Sequence, residues 1–226
     1  MTAEGPILPA KCLRCQSTLT SPIVCDGCRA LFSPPPGTDY FALLGLPRTY
    51  AIDEKKLNAA FRGLARAVHP DRFTGESQEA QSLANRLSAE VNQAFHVLSD
   101  PVRRADYLLE LAGGPSAAEM REVPDGFLAD VMVLREEIDQ AKSADDGDAI
   151  ERHRESIAAR RQDNMEQIAD LAETSADLGA PERNLMRRLL NSMKYFDNLL
   201  QELAADPLAV QWSEPRPSGR ADVRAG

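Results

Sequence analysis

Between Asp53 and Pro70 the chain leaves itself one regular structure. Leu57, Ala60, Phe61, Leu64, Ala65 and Val68 fall at i, i+3, i+4, i+7, i+8 and i+11, which is a single stripe of the helical period and not the alternation of a strand. Asp53 and Glu54 place acid at the positive end of that helix. At about 100° per residue, Lys55, Arg62 and Arg66 gather in a narrow arc opposite the stripe. Pro70 then stops the helix, because its ring lacks an amide hydrogen and disfavours helical geometry in His69. The stop leaves the His69 imidazole and the Asp71 carboxylate on a turn, within reach of a partner, at the end of a basic edge.

The flanking segments carry the same helical period. Thr38 is expected to cap a helix beginning at Asp39, with Tyr40, Phe41, Leu43 and Leu44 on its apolar face and Gly45 and Pro47 ending it. A long helix is predicted from about Ser77 to Leu98, with Leu83, Leu87, Val91, Ala94 and Leu98 inside. Ser99-Asp100-Pro101 ends it, Pro101 suits the first position of a short helix through Leu111, and Gly113-Gly114-Pro115 closes the unit. Farther on, Asp125 or Gly126 opens a helix holding Phe127, Leu128, Val131, Met132 and Ile138. Asp145-Asp146-Gly147-Asp148 breaks it, and residues 149–178 read as one long helix with Arg161 interrupting an apolar face of Ile150, Ile157, Ile168, Leu171, Ala172 and Leu178. After Gly179-Ala180-Pro181, a last helix presents Leu185, Met186, Leu189, Leu190, Met193, Phe196, Leu200 and Leu203. Three striped helices joined by short loops can bury one another as an antiparallel bundle. With 43% hydrophobic, 5% aromatic and 27% charged residues, the composition favours helix over sheet. From Pro207 onward the period is lost, and disorder is expected.

All four cysteines lie near the N-terminus. Cys12 and Cys15 form one C-x2-C, Cys25 and Cys28 a second, with nine residues between. Two such pairs can surround one tetrahedral ion, each tight turn delivering two thiolates, and Gly27 is expected to ease the second turn. So short a stretch has too few apolar groups for a core of its own, and metal binding would supply the missing stability. Tetrahedral sulfur sites favour zinc or iron, with zinc the first choice and a structural role expected, since four protein ligands leave no open position. Disulfides or redox pairs are the alternative, and they would need an oxidising compartment. Pro34-Pro35-Pro36-Gly37 is read as a stiff spacer.

Net charge and pattern narrow the function. A formal charge of −9 argues against general binding to nucleic acid or anionic membrane. No stretch approaches the roughly 18 apolar residues of a membrane span. The first residues resemble neither a secretory signal nor an Arg-rich presequence, so a reducing compartment is expected: a bacterial cytoplasm, or a mitochondrion if a presequence has been removed. His96 and His153 read as ordinary surface or boundary residues.

Residues 38–112 resemble a J-domain, and more closely that of the HscB family of iron–sulfur co-chaperones. The match is carried by Asp39-Tyr40-Phe41-x-Leu43-Leu44-Gly45-Leu46-Pro47, His69-Pro70-Asp71-Arg72-Phe73, Asn92-Gln93-Ala94, and Leu98-x-x-Pro101-x-x-Arg104-Ala105-x-Tyr107-Leu108-Leu109. The four-cysteine module is similar to an extension in some family members. The resemblance implies an all-α fold: a J-domain helical hairpin at 38–112, a three-helix bundle at 120–205, a zinc-knuckle module at 1–33 before them, and a tail at 207–226. It implies a co-chaperone, not an enzyme, whose His69, Pro70 and Asp71, with Lys55, Arg62, Arg66 and Arg72 beside them, dock on a DnaK/HscA-type chaperone and stimulate its ATP hydrolysis. It implies further that Leu128, Met132, Glu136 and Tyr195 bind an IscU-type cluster scaffold; the chain departs from the usual acidic residues at Val133 and Gln140, and Ala129 is small for its place. Cys12, Cys15, Cys25 and Cys28 would hold structural zinc. Neither nucleic acid nor membrane is an expected partner, and the chain is expected to be a monomer or weak dimer. The rival readings are a J-protein with another client, a zinc-dependent nucleic-acid binder, and an enzyme using His69 and Asp71 as acid and base; no nucleophile accompanies that pair.

Overall fold

The structure, a computed structural model, describes residues 11–174 and 178–204. Among these are seven α-helices and no named strand: α1 (Tyr40–Leu44), α2 (Glu54–Ala67), α3 (Gln78–Ser99), α4 (Pro101–Leu111), α5 (Phe127–Ser143), α6 (Gly147–Glu173) and α7 (Ala180–Ala204). A 3-10 turn over Pro70–Phe73 joins α2 to α3, and an isolated bridge pairs Val24 with Leu31. The expected tail lies outside the described residues. The described residues fall into two compact units, one within Met1–Glu122 and Met165–Leu190, the other within Val123–Asn164 and Asn191–Gly226.

In the first unit α3 is the central element, packed against α1, α2, α4 and the 3-10 turn. Its inward face is Ala84, Leu87, Val91, Ala94 and Leu98, all fully buried. Leu57 and Val68 are buried from α2, and Phe61 stacks on Phe95 of α3 with ring centroids 4.1 Å apart. Helix ends are closed as local chemistry dictates. Asp53 accepts from the amides of Lys55 and Lys56, Ser77 from Ala80 and Asp100 from Arg103, so orphan first-turn amides are satisfied. Pro101 begins α4 as expected.

At α1 the cap differs from expectation. Asp39, not Thr38, is the capping residue: its carboxylate accepts from the Ala42 amide at 2.8 Å, while the Thr38 hydroxyl turns back to the Pro35 carbonyl. Asp39 also pairs with Arg48, and the Tyr40 amide donates to the Tyr107 hydroxyl at 3.1 Å. Gly45 ends the helix at φ 68°, a left-handed position that favours glycine. Arg104, buried in α4, donates to the Leu98 carbonyl at 2.8 Å and lies over the Tyr50 ring. Glu173, at the end of α6, accepts from Thr49 and the Ala51 amide. Near the start of α7, Arg183 donates to the Ala112 carbonyl, and buried Arg187 donates to Pro115 while pairing with Asp106.

The second unit is built from α5, the first part of α6 and the last part of α7. Val131, Leu134, Ile138 and Ala141 of α5, Ile157 of α6, and Met193, Phe196 and Leu199 of α7 are buried there. Phe127 meets Phe196 and Tyr195 edge-on. Asn164 lies inside and donates to Ser192 at 3.0 Å. The expected polar intrusion, Arg161, pairs with Asp197 at 2.6 Å. Three expectations shift. Leu185 of α7, expected on its apolar face, is 40% exposed. Helix α6 runs from Gly147 to Glu173, so Leu178 is not on it, and Leu199 takes the fully buried place while Leu200 is half-buried.

Candidate functional site

Leu64 accepts the last α2-type bond from the Val68 amide, and Pro70 starts the 3-10 turn immediately after. The turn is tied down locally. The His69 Nδ1 accepts from the Asp71 amide at 3.3 Å and lies 3.6 Å from its carboxylate. The Arg72 guanidinium donates back to the Arg66 carbonyl at 3.1 Å, occupying one of the acceptors left open at the helix end. The His69 and Asp71 side chains are 54% and 85% exposed, so both reach solvent on a turn whose backbone is held. Lys55, Arg62 and Arg66 are exposed on α2, and Arg72 is exposed beside them. The seven residues named for the turn and its edge are thus brought to one end and one side of α2. His69 and Asp71 stand in solvent on a braced turn, where a partner can reach both.

The four cysteines also converge, in a module whose two halves repeat one geometry. In the first, the Cys12 amide donates to Ser17 and the Gln16 amide to Cys12; in the second, Cys25 donates to Ala30 and Arg29 to Cys25. Gln16 and Arg29 both take left-handed conformations, φ 62° and 59°. Gly27 has a different role from the one expected. It needs no left-handed turn; a Cβ there would lie 2.6 Å from the Ser17 Oγ, so glycine lets the two halves approach. Cys12 lies 3.7 Å from Cys28 and Cys15 3.6 Å from Cys25, sulfur to sulfur, and all four sulfurs are within 4.8 Å of one another. An ion bound tetrahedrally at about 2.3 Å requires sulfur–sulfur edges of about 3.8 Å, so the donor set fits one metal ion; none of the four is disulfide-bonded.

Without an ion the four thiols do not ionise alike. Hydrogen bonding to Ser17, through its hydroxyl and then its backbone, pulls the Cys15 thiol down to about 6. At Cys28 the Ala30 backbone favours the thiolate, but burial and the neighbouring sulfurs outweigh it and push the thiol up to about 11. All four can be thiolates together only with a cation among them, because ligand deprotonation and metal binding are coupled. Apolar support is slight: Cys12, Leu19 and Cys25, with Cys28 and Phe32 packed on them.

On α5, Leu128, Met132 and Glu136 form an exposed line at i, i+4 and i+8. Leu128 is 49% and Met132 72% exposed, large values for apolar side chains. Met132 and Glu136 line a shallow groove of about 750 Å³ with Arg135 and Asp139. Tyr195 differs from the other three: it is half-buried, its ring edge-on to Phe127 at 5.5 Å. Sequence reasoning missed that the side of α2 carrying Ala59, Ala60, Gly63 and Ala67 faces residues Thr20 to Asp26 of the cysteine module across a cleft. The run of small residues was the only signal.

Against known proteins, the DnaJ domain matches residues 39–107 and the HSCB C-terminal oligomerisation domain matches residues 123–204. The crystal structure of human co-chaperone protein HscB superposes with a TM-score of 0.68 at 26% identity, over 86% of this chain and 96% of that one. Chaperone HscB from Vibrio cholerae superposes with a TM-score of 0.61 at 29% identity, over 74% of this chain and 96% of that one. With a DnaJ domain carrying the exposed His-Pro-Asp corner, an HscB-type C-terminal domain, and an added four-cysteine module, the chain belongs to the HscB family of J-domain co-chaperones.

Proposed function

We propose that this chain activates ATP hydrolysis by a DnaK/HscA-type chaperone and brings it an IscU-type iron–sulfur scaffold. The observation that carries this is the His69–Asp71 corner, exposed at the end of a helix whose outer edge is Lys55, Arg62 and Arg66. The basic edge steers a partner with an acidic surface and sets the register of docking. Asp71 then offers a carboxylate to basic groups of the ATPase, where charge-assisted bonds are about twice as strong as neutral ones. The His69 contact to the Asp71 amide pre-forms the turn and lowers the ordering cost of binding.

Scaffold binding is assigned to Leu128, Met132 and Glu136, with Tyr195 supporting the line through Phe127. Two apolar side chains held in water on a helix face gain by being covered. The metal at Cys12, Cys15, Cys25 and Cys28 is zinc by this reading, in a structural role, because four thiolates complete its coordination. A compartment that keeps thiols reduced suits that site, and we place the chain in a bacterial cytoplasm or a mitochondrial matrix.

The test is steady-state ATP hydrolysis by a DnaK-type chaperone with the full chain, with and without purified scaffold protein. Stimulation by the chain, raised further by scaffold, is expected. Stimulation indifferent to the scaffold would leave a J-protein with another client.

A further inference from the structure

We propose that the four-cysteine module is itself part of the surface that receives the ATPase chaperone, with Arg14 and Arg29 as its contacts to an acidic face of that partner. The proposal rests on the reading of the His-Pro-Asp turn given above. A cleft of about 410 Å³ opens between module and turn, lined by Arg14, Cys28 and Arg29 on one side and by Arg72, Phe73 and Glu76 on the other. Three guanidinium groups thus border one space with a single carboxylate, in a chain whose net charge is −9. The side chains of Arg14 and Arg29 are exposed and have no ion-pair or hydrogen-bond partner among the described residues. Beside Arg14, at the tip of the first knuckle, Leu13 is 85% exposed, the most exposed of the large apolar side chains among the described residues.

Two observations favour contact over a purely internal role. First, the Cys12 sulfur receives its bond from the Arg14 backbone amide, not from the guanidinium. Second, Arg29 sits at φ 59°, where glycine or asparagine is accommodated at lower cost, so the local turn alone does not call for arginine. The surface is also continuous. At about 100° per residue, the α2 flank facing the module begins next to the arc of Arg62 and Arg66, so the module's arginines extend the basic edge around the turn. Complementary charge at such a rim acts mainly on the encounter and its salt dependence.

The experiment is a titration of chaperone ATPase stimulation by the full chain and by an Arg14→Gln, Arg29→Asn variant, asparagine being chosen because it tolerates the left-handed turn. The concentration for half-maximal stimulation is expected to rise about tenfold at low salt, with maximal stimulation unchanged, and the gap to close as salt screens the rim. Arg14→Lys with Arg29→Lys is expected to restore most of the loss. Metal content and thermal unfolding are expected to match the unaltered chain; loss of metal would mean that the guanidinium groups serve the thiolates, and would overturn the proposal. Identical titration curves for chain and variant would overturn it alone. No stimulation by the unaltered chain would remove the reading of the turn as well. A variant that loses only binding to a single-stranded oligonucleotide would assign the cleft to nucleic acid and equally overturn it.

Discussion

In the four-cysteine module the reactive groups are themselves part of the packing: Cys12 and Cys25 are fully buried, Cys28 is half-buried and only Cys15 is exposed, and little besides Leu19 and Phe32 packs with them. In the neighbouring pair of α2 and α3 the arrangement is reversed. Leu57, Leu87, Val91 and Leu98 fill the interior, and His69 and Asp71 stand in solvent. Stability and chemistry are one thing in the module and separate things in the hairpin. A region held by its reactive groups should collapse when they are taken away, whereas one held by apolar burial should lose function and keep its fold.

If the four cysteines hold a structural ion, the largest expected effect follows from removing it. Binding of a structural ion by such sites is worth about 10–16 kcal/mol, far more than the module's few apolar contacts can replace. Chelation is expected to release one ion per chain and to abolish amide-exchange protection over residues 11–33, while α3 stays protected. Persistent protection of the module without metal would erase the contrast. Next in size is the converse change. Leu87→Ala empties a fully buried site in α3 and is expected to destabilise the hairpin by about 2–5 kcal/mol, with metal content unchanged; an equal loss of metal would show that the two regions fold as one.

The α5 line extends the comparison to the second unit. Leu128→Ala with Met132→Ala removes apolar side chains that are already exposed. Unfolding is expected to shift by no more than about 0.5 kcal/mol, while scaffold affinity measured by calorimetry falls by about 2–3 kcal/mol. Unchanged affinity would move the interface elsewhere. The smallest effect is alkaline. Burial, the largest cause, raises the Tyr107 hydroxyl from 10.0 to about 12, although the Tyr40 amide opposes the shift. A phenol whose folded value is raised contributes stability that is complete below its unfolded value and is lost as pH climbs through the folded one. Tyr107 is only about half-buried, so on the order of 1 kcal/mol is expected to disappear between pH 10.0 and about 12. Tyr107→Phe should flatten that part of a pH–stability profile, and an unaltered slope would assign it to another group.

How much was legible depended on whether a feature is local. The α2 stripe, the acid at the start of α2, the Pro70 stop, the start of α3 near Ser77 and Pro101 at the start of α4 follow from neighbours in sequence, and each is where the residues put it. The C-x2-C spacing likewise announced sulfurs that do converge. Features requiring distant partners were read less well. Thr38 and Asp39 are both good caps, and what separates them is Arg48 and Tyr107 gathering around Asp39 and the Tyr40 amide. Gly27 reads as a turn residue until Ser17, ten positions away, is seen in the space of its missing Cβ. Leu199 and Leu200 are equally apolar, and only the turn of α7 against its neighbours decides which is inside. The edge-on contact of Tyr195 with Phe127 joins α7 to α5 and has no local sequence signal.

The central claim is that the exposed His69–Asp71 corner works on a partner's ATPase and contributes nothing essential to this chain's own fold. Asp71→Asn preserves shape and removes the charge of a side chain that is 85% exposed. Measured side by side, chaperone ATPase stimulation is predicted to vanish while thermal unfolding moves by less than about 0.5 kcal/mol. Stimulation equal to that of the unaltered chain, or loss of stimulation only through unfolding, would contradict the account.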